Sequence, residues 1–394
     1  MASAAGETGS ARYTYRLRLS SRAEAALLAE WDRCRWVWNQ CVSVSRATYQ
    51  AGEACGPALL DKQLTAWRAE HPWLGQGASV PQQQTVRDFG RSRAKAIKDI
   101  KARLPVRRRS GMPRFKKKHA AAPTLNYTRN GFRLREGRLL LAGGISVRVV
   151  WSRPLPAQPS SVRIYRDVLG HWYGSFVAPA PFEPLPSVGG AIGIDWGVKE
   201  IATTTSDAHD LPHSQHGKSA AARLARYQRM MARRRTPKGR LASQGYRNAC
   251  RQAARAYAKV ARRRQDEARK WAKSVVRDHD VLAVEDFRPK FLTRSTMARK
   301  AADAAIGSAK STLIRMARKH GRTVHLVDPG HTTMDCGTCG ARAKHRLPLS
   351  ERTYTCTTCG AVSPRDKNSA RVMLVRAGLD PDGADRRRPL APPG

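Results

Sequence analysis

The chain has 394 residues, enough for two to four domains and at least one sizeable core, and 41% of them are hydrophobic. Lysine and arginine number 73 against 30 aspartates and glutamates, a formal charge of +43 that opposes folding by self-repulsion and is met most simply by a polyanion. No window approaches eighteen apolar residues, residues 1–13 lack the apolar stretch of a secretory leader, and no basic amphipathic helix carries a matching apolar anchor face with a lipidation site, so nucleic acid rather than membrane is the expected partner.

In chain order, Tyr13 to Leu19 alternates as a strand does. From Arg22 to about Ala69 the residues Leu27, Leu28, Trp31, Cys34, Val37 and Trp38 recur at helical spacing, and a second helical stretch runs from Pro81 to Ile100. Residues 101–118, KARLPVRRRSGMPRFKKK, hold nine Lys or Arg among eighteen, with Pro and Gly breaks. A basic loop or linker follows from this, with Arg107, Arg108, Arg109, Arg114, Lys116 and Lys117 as candidate nucleic-acid contacts. Between Thr124 and Ala178 short alternating runs (GRLLLA, SVRVVW, SVRIYR, HWYGSFVA) predict a small antiparallel barrel or sheet. The Pro- and Gly-rich stretch 178–190 marks a domain boundary.

Beyond it, AIGIDWGVKEIATTTSD (191–207) predicts a buried strand through Ile192 and Ile194, with Ile201 to Thr205 as its hairpin partner. Residues 217–277 read as two helices split at Pro237-Lys238-Gly239. Between Arg223 and Trp271 they carry seventeen Lys or Arg and two acids, whereas a merely solvated face would mix the signs. Arg233, Arg234, Arg235, Arg262, Arg263 and Arg264 are the contacts expected here. Tyr227, Tyr246 and Tyr257 are read as packing on the core in preference to stacking on bases. VLAVEDF (281–287) is a second buried strand ending in acid, a helix over 297–320 follows, and TVHLVDP (323–329) is another strand. That alternation is α/β.

Two constellations carry chemistry. Cys336 and Cys339 in CGTC, and Cys356 and Cys359 in CTTC, are separated by sixteen residues. Each pair presents two thiolates to one ion, so the four close a tetrahedral, structural zinc site, with rubredoxin-like iron as the rival. Gly340 and Gly360 let backbone amides turn toward the sulfurs. The remaining cysteines, Cys34, Cys41, Cys55 and Cys250, are scattered as in an intracellular protein. The second constellation is Asp195, Glu285 and Asp366, each at the edge of an apolar element. Singly they have plain alternatives as turn former, surface acid and helix cap. Converging on one sheet rim, they are hard oxygen ligands for Mg²⁺ or Mn²⁺, and two such ions serve phosphodiester hydrolysis.

GIDWGVKEIATTTSD, VEDF, the paired cysteine knuckles and RDKNSA stand in the order of the TnpB (OrfB) family, which the chain resembles over residues 12–376. These are transposon-encoded, RNA-guided nucleases related to the miniature type V CRISPR effectors. RFK in GMPRFKKKH, the W-x-x-C-R-x-V-x-N run at 31–39 and Arg264-Gln265-Asp266 add to the likeness. One departure is Ser363-Pro364 before Arg365-Asp366, where relatives often place His or Asp.

The resemblance implies a multidomain α+β and α/β protein. It has an N-terminal wedge β-barrel with an inserted helical recognition lobe, then a RuvC-like, RNase H-like nuclease domain interrupted by a zinc ribbon. In residues, 1–20 is the first wedge segment, 21–105 the recognition lobe and 106–185 the wedge barrel. The nuclease occupies 186–330 and 363–379 around a target-strand-loading zinc ribbon at 331–362, and 380–394 is expected to be a disordered tail. Asp195, Glu285 and Asp366 are implied as catalytic Mg²⁺ ligands, with guide RNA and target double-stranded DNA as partners in a prokaryotic cytoplasm, at the nucleoid. Arg365 is a candidate support for the scissile phosphate. The rival functions are an RNA-guided regulator that does not cleave and an unguided transposase or nuclease; a plain zinc-ribbon DNA binder leaves the acids unexplained.

Overall fold

In the computed structural model, residues 9–118, 121–237, 240–287, 295–345, 347–348 and 350–380 are described. The expected tail lies outside them except for Asp380. The chain divides into two compact units, Met1–Pro181 and Phe182–Gly394.

The first unit begins with β1 (Ser10–Arg18) and then α1 (Ser21–Gln50), α2 (Pro57–Glu70), α3 (Pro72–Gly75) and α4 (Ser79–Lys101). Six strands follow: β2 (Thr124–Thr128), β3 (Phe132–Arg135), β4 (Arg138–Leu141), β5 (Ile145–Val150), β6 (Ser161–Arg166) and β7 (Trp172–Pro179). They form one antiparallel, barrel-like sheet in the order β2-β6-β7-β1-β5-β4-β3, so the four helices are an insertion between two strands of it. β1 pairs with β7 from Ser10 opposite Pro179 onward, then with β5 at Arg16 opposite Val150.

Residues at a spacing of two point inward, Tyr15 and Leu17, Leu125 and Tyr127, Val147 and Val149, Val162 and Ile164. The first half of α1 covers them with Leu27, Trp31 and Cys34, and its second half joins α2, α3 and α4 around Leu60, Leu64, Leu74 and Phe89. Ser20 caps α1 by accepting from the Ala23 N–H at 3.2 Å.

The second unit holds β8 (Ala191–Trp196), β9 (Glu200–Thr204), β10 (Leu211–Pro212), α5 (His216–Arg233), α6 (Gln244–Asp278) and β11 (Val281–Glu285). α7 (Ala298–Ala304), α8 (Ile306–Lys319), β12 (Thr323–Val327), β13 (Thr353–Thr355), β14 (Val362–Pro364) and α9 (Arg365–Arg376) complete it. The single helix expected over 297–320 is broken at Ala305, which adopts φ +52° two residues before Gly307. The main sheet runs β10-β9-β8-β11-β12, with β8, β11 and β12 parallel and β9 antiparallel to β8. On one face Ile192, Ile194, Trp196, Leu282 and Val284 pack against Ala272, Val275 and Val276 of α6 and Leu313 of α8. On the other, Ala283 and Val327 pack against Met373 and Leu374 of α9. β13 and β14 form a separate hairpin beside the cysteine pairs.

Candidate active site and metal centre

Register decides which side chains meet. Val281 lies beside Ala191 and Val284 beside Ile194 in the parallel pair, which brings Glu285 level with Asp195. Side chains alternate across a strand, so Gly193, Asp195, Ala283 and Glu285 share one face, opposite the Ile192–Ile194–Trp196 face. That face belongs to α9. A Cβ on Gly193 would stand 2.0 Å from the Ala370 carbonyl oxygen, so only glycine lets the helix lie this close to β8. Asp366 sits one turn before Ala370, in the first turn of α9. The structure therefore brings Asp195, Glu285 and Asp366 to one cleft of about 2090 Å³, which Lys218, Tyr257 and Arg299 also line.

The electrostatics of Asp195 and Glu285 are those of a site short of positive charge. Burial, then the charges of Glu285 and Asp366, push the Asp195 carboxyl well above the usual carboxylate range, with Arg365 opposing. Glu285 is 6% exposed, and burial raises it to about 7 although the Trp196 N–H and Lys310 favour its charged form. The Trp196 N–H donates to Glu285 Oε2 at 3.1 Å, and the Trp196 indole donates to the Glu285 carbonyl at 3.2 Å. The carboxylate is thus aimed by the residue after Asp195. A cluster of three carboxylates in which the charged form of Asp195 is disfavoured by burial and by its two neighbours fits a hard divalent cation.

Several neighbours were not visible in the sequence pattern. Lys310 of α8 donates to Asp286 at 2.6 Å beside Glu285. Lys367 reaches the Thr204 carbonyl at 2.9 Å and Asp210 at 2.8 Å, tying the start of α9 to β9. Arg365, read as a phosphate support, is 5% exposed and donates to the Pro348 carbonyl at 2.9 Å, so its guanidinium is turned toward the knuckle module.

The four cysteine sulfurs lie within 4.8 Å of one another, with Cys336 to Cys359 at 3.8 Å and Cys339 to Cys356 at 3.7 Å. A tetrahedron of sulfurs about 2.3 Å from zinc has edges of about 3.8 Å, so the set fits zinc. Gly340 and Gly360 take φ +74° and +72°, and each returns its N–H to the carbonyl of the first cysteine of its pair at 3.0 Å. The backbone N–H groups of Cys359 and Thr358 bring the Cys356 thiol down to about 6.

The basic candidates divide by environment. In the first unit Arg107, Arg108, Arg114 and Lys117 are exposed, while Arg109 donates to the Leu104 carbonyl at 2.5 Å. Lys116 turns inward, its ammonium 3.7 Å from the Trp38 ring centre, and Asn39 accepts from its N–H at 2.7 Å. The segment predicted as a loop or linker is therefore a loop pinned to α1. In the second unit Arg233, Arg234, Arg235, Arg262 and Arg263 are exposed. Arg264 is instead ion-paired with Asp303, which also accepts from the Gly217 N–H at 2.7 Å and the Lys218 N–H at 2.9 Å. Tyr257, expected in the core, is 52% exposed on the cleft and accepts from Gln228 at 3.1 Å, because the apolar stripe of α6 passes through Ala256 and Val260. Tyr227 and Tyr246 are half-buried. No helix among the described residues is long and apolar enough to cross a membrane.

Comparison with known proteins places the chain in a family. The OrfB_IS605 family, described as "Probable transposase", matches residues 172–296, and the "Cas12f1-like, TNB domain" matches residues 307–373. A Streptomyces pristinaespiralis protein named "Putative RNA-guided DNA endonuclease" is 32% identical over 93% of this chain and 89% of its own length. The Escherichia coli K12 protein named "Putative RNA-guided DNA endonuclease InsQ" is 25% identical over 92% of this chain and 91% of its own. Among solved structures, a Cas12f1–sgRNA–target DNA complex matches with TM-score 0.53 at 11% identity, covering 93% of this chain and 98% of that one, a likeness of fold. On the match to the Streptomyces protein over 93% of this chain, the chain belongs to the TnpB (OrfB) family of transposon-encoded, RNA-guided nucleases.

Proposed function

We propose that the protein is an RNA-guided, Mg²⁺-dependent DNA endonuclease in which Asp195, Glu285 and Asp366 are the catalytic ligands. The observation that carries this is the meeting of Asp195 and Glu285, on one face of the β8–β11 pair, with Asp366 of the covering helix α9 in one cleft, in a chain of +43 charge. The sheet order, with the antiparallel β9–β10 ribbon on one side of β8 and β11 and β12, parallel to it, on the other, supports a RuvC-like, RNase H-like domain. The cysteine module before α9 is the zinc-ribbon, target-strand-loading insertion, and the first unit supplies wedge barrel and recognition lobe. Asp195, Glu285 and Asp366 would hold Mg²⁺, which would supply Lewis-acid chemistry for hydrolysis of a phosphodiester.

The protein's own groups divide the remaining work. Trp196 holds Glu285 in place through two hydrogen bonds, and Lys310 occupies Asp286 so that it does not compete for the cation. The exposed arginines of α5 and α6, with Arg107, Arg108, Arg114 and Lys117, hold sugar–phosphate backbone of guide RNA and target DNA without reading bases.

The experiment is expression with native flanking DNA, sequencing of the co-purified RNA, and cleavage of a DNA target matching its variable segment. The wild type cleaves with Mg²⁺, and Asp195→Ala binds the same RNA without cleaving. Absence of an enriched RNA overturns guidance in favour of an unguided nuclease, and binding without cleavage by the wild type favours a regulator.

A further inference from the structure

α9 brings Asp366 to the acid centre, and the same helix is bolted to the cysteine module. Asn368, 3% exposed, donates through Nδ2 to the Asp335 carbonyl at 2.7 Å and accepts through Oδ1 from the Gly337 N–H at 2.9 Å. Those two backbone groups flank Cys336, itself 1% exposed. The fit is tight: a Cβ on Gly337 would stand 2.6 Å from Arg371 Cβ on α9. The Asp335 carboxylate is held from both sides, by Arg342 of the knuckle and by Arg376 in the last turn of α9, each at 2.6 Å. At the helix start the Arg365 N–H donates to the Arg352 carbonyl at 2.8 Å.

We infer that Asn368 is a positioning residue for the acid centre, transmitting the placement of the first cysteine knuckle to Asp366; this rests on the metal-ligand reading of the three acids. A planar amide bonded to both a carbonyl and an N–H of one rigid turn fixes α9 in rotation and in translation. Removing it leaves a buried donor and a buried acceptor unpaired, and the helix shifts to relieve them. Asp366 lies two residues away, in the same helical turn, and moves with it. An offset of about 1 Å in such a centre is worth on the order of 10² in rate.

The test uses the full-length protein and Mn²⁺ as a paramagnetic probe, with zinc per chain measured by elemental analysis. Asn368→Ala is expected to retain its zinc while binding Mn²⁺ at the acid centre roughly tenfold more weakly. Ser369→Ala, which loses only a 3.4 Å bond to the Thr332 carbonyl in the same interface, should bind Mn²⁺ as the wild type does. Because Asn368→Ala can fail to fold, the wild type stripped of zinc by a thiophilic chelator gives an independent arm, in which Mn²⁺ affinity falls likewise. Unchanged Mn²⁺ affinity in Asn368→Ala or in the stripped protein overturns the inference, as does an equal loss in Ser369→Ala. A wild type that binds no more Mn²⁺ than Asp195→Ala overturns the acid-centre reading instead.

Discussion

Glu285→Gln should make the metal-free protein more stable. The wild-type carboxyl rises from 4.5 to about 7 on folding, chiefly because it is buried. At 1.36 kcal/mol per unit, the ionised form at pH 8 destabilises the fold by roughly 3 kcal/mol. Glutamine keeps an oxygen to accept the Trp196 N–H and carries no charge, so most of that penalty disappears, and the Asp195 carboxyl loses one of its repelling neighbours.

The sign follows from proton uptake. Below about pH 4.5 the group is protonated folded or unfolded, and the variant gains nothing. Between there and about pH 7 the folded state holds the proton that the unfolded chain has lost, so wild-type stability falls as pH rises and the advantage of the variant grows to its full value. Hydrogen exchange of the β8 and β11 amides at pH 5 and pH 8, in magnesium-free buffer, reads this locally. Mg²⁺ should then restore the wild type and do little for the variant. Equal stability of the two at pH 8, or a gain no larger than at pH 5, would refute the reasoning.

Two further outcomes follow from the packing and the charge map. Gly193→Ala places a methyl 2.0 Å from the Ala370 oxygen, so α9 must lift; a loss of about 1–3 kcal/mol by chemical denaturation and a weakened Mn²⁺ site are expected together, and a wild-type Mn²⁺ site would contradict the account. Arg262→Gln and Arg263→Gln should each lower the salt dependence of nucleic-acid binding by roughly one unit of slope, whereas Arg264→Gln should leave the slope alone and weaken the start of α5 by about 1–3 kcal/mol through Asp303, read by hydrogen exchange.

What the sequence made legible was whatever has a short period. Ile192 and Ile194, or Leu282 and Val284, announce buried strands, and acids at their ends stand out because such ends rarely carry unneeded carboxylates. The cysteine pairs are legible because two turns of fixed length impose the spacing. What pairing adds is register: no local pattern says that Glu285 lies level with Asp195, or that Ala370 presses on Gly193. Charge counting fails in a related way, since Lys116 and Arg264 look like their exposed neighbours until a tryptophan ring and an aspartate arrive from remote segments. Ala305, bending a helix in two with a left-handed backbone, had no signal of its own beyond Gly307 two residues on.

The seating of α9 on β8 also orders events in time. β8 and β11 leave the ribosome well before residues 365–376, and the face they share stays open until α9 is made and docks across an interval of some 170 residues. During synthesis the chain therefore presents its basic segments before it owns a third carboxylate at this face. On the proposed function, hydrolytic competence would arrive as one of the last steps of folding, after the basic segments are made.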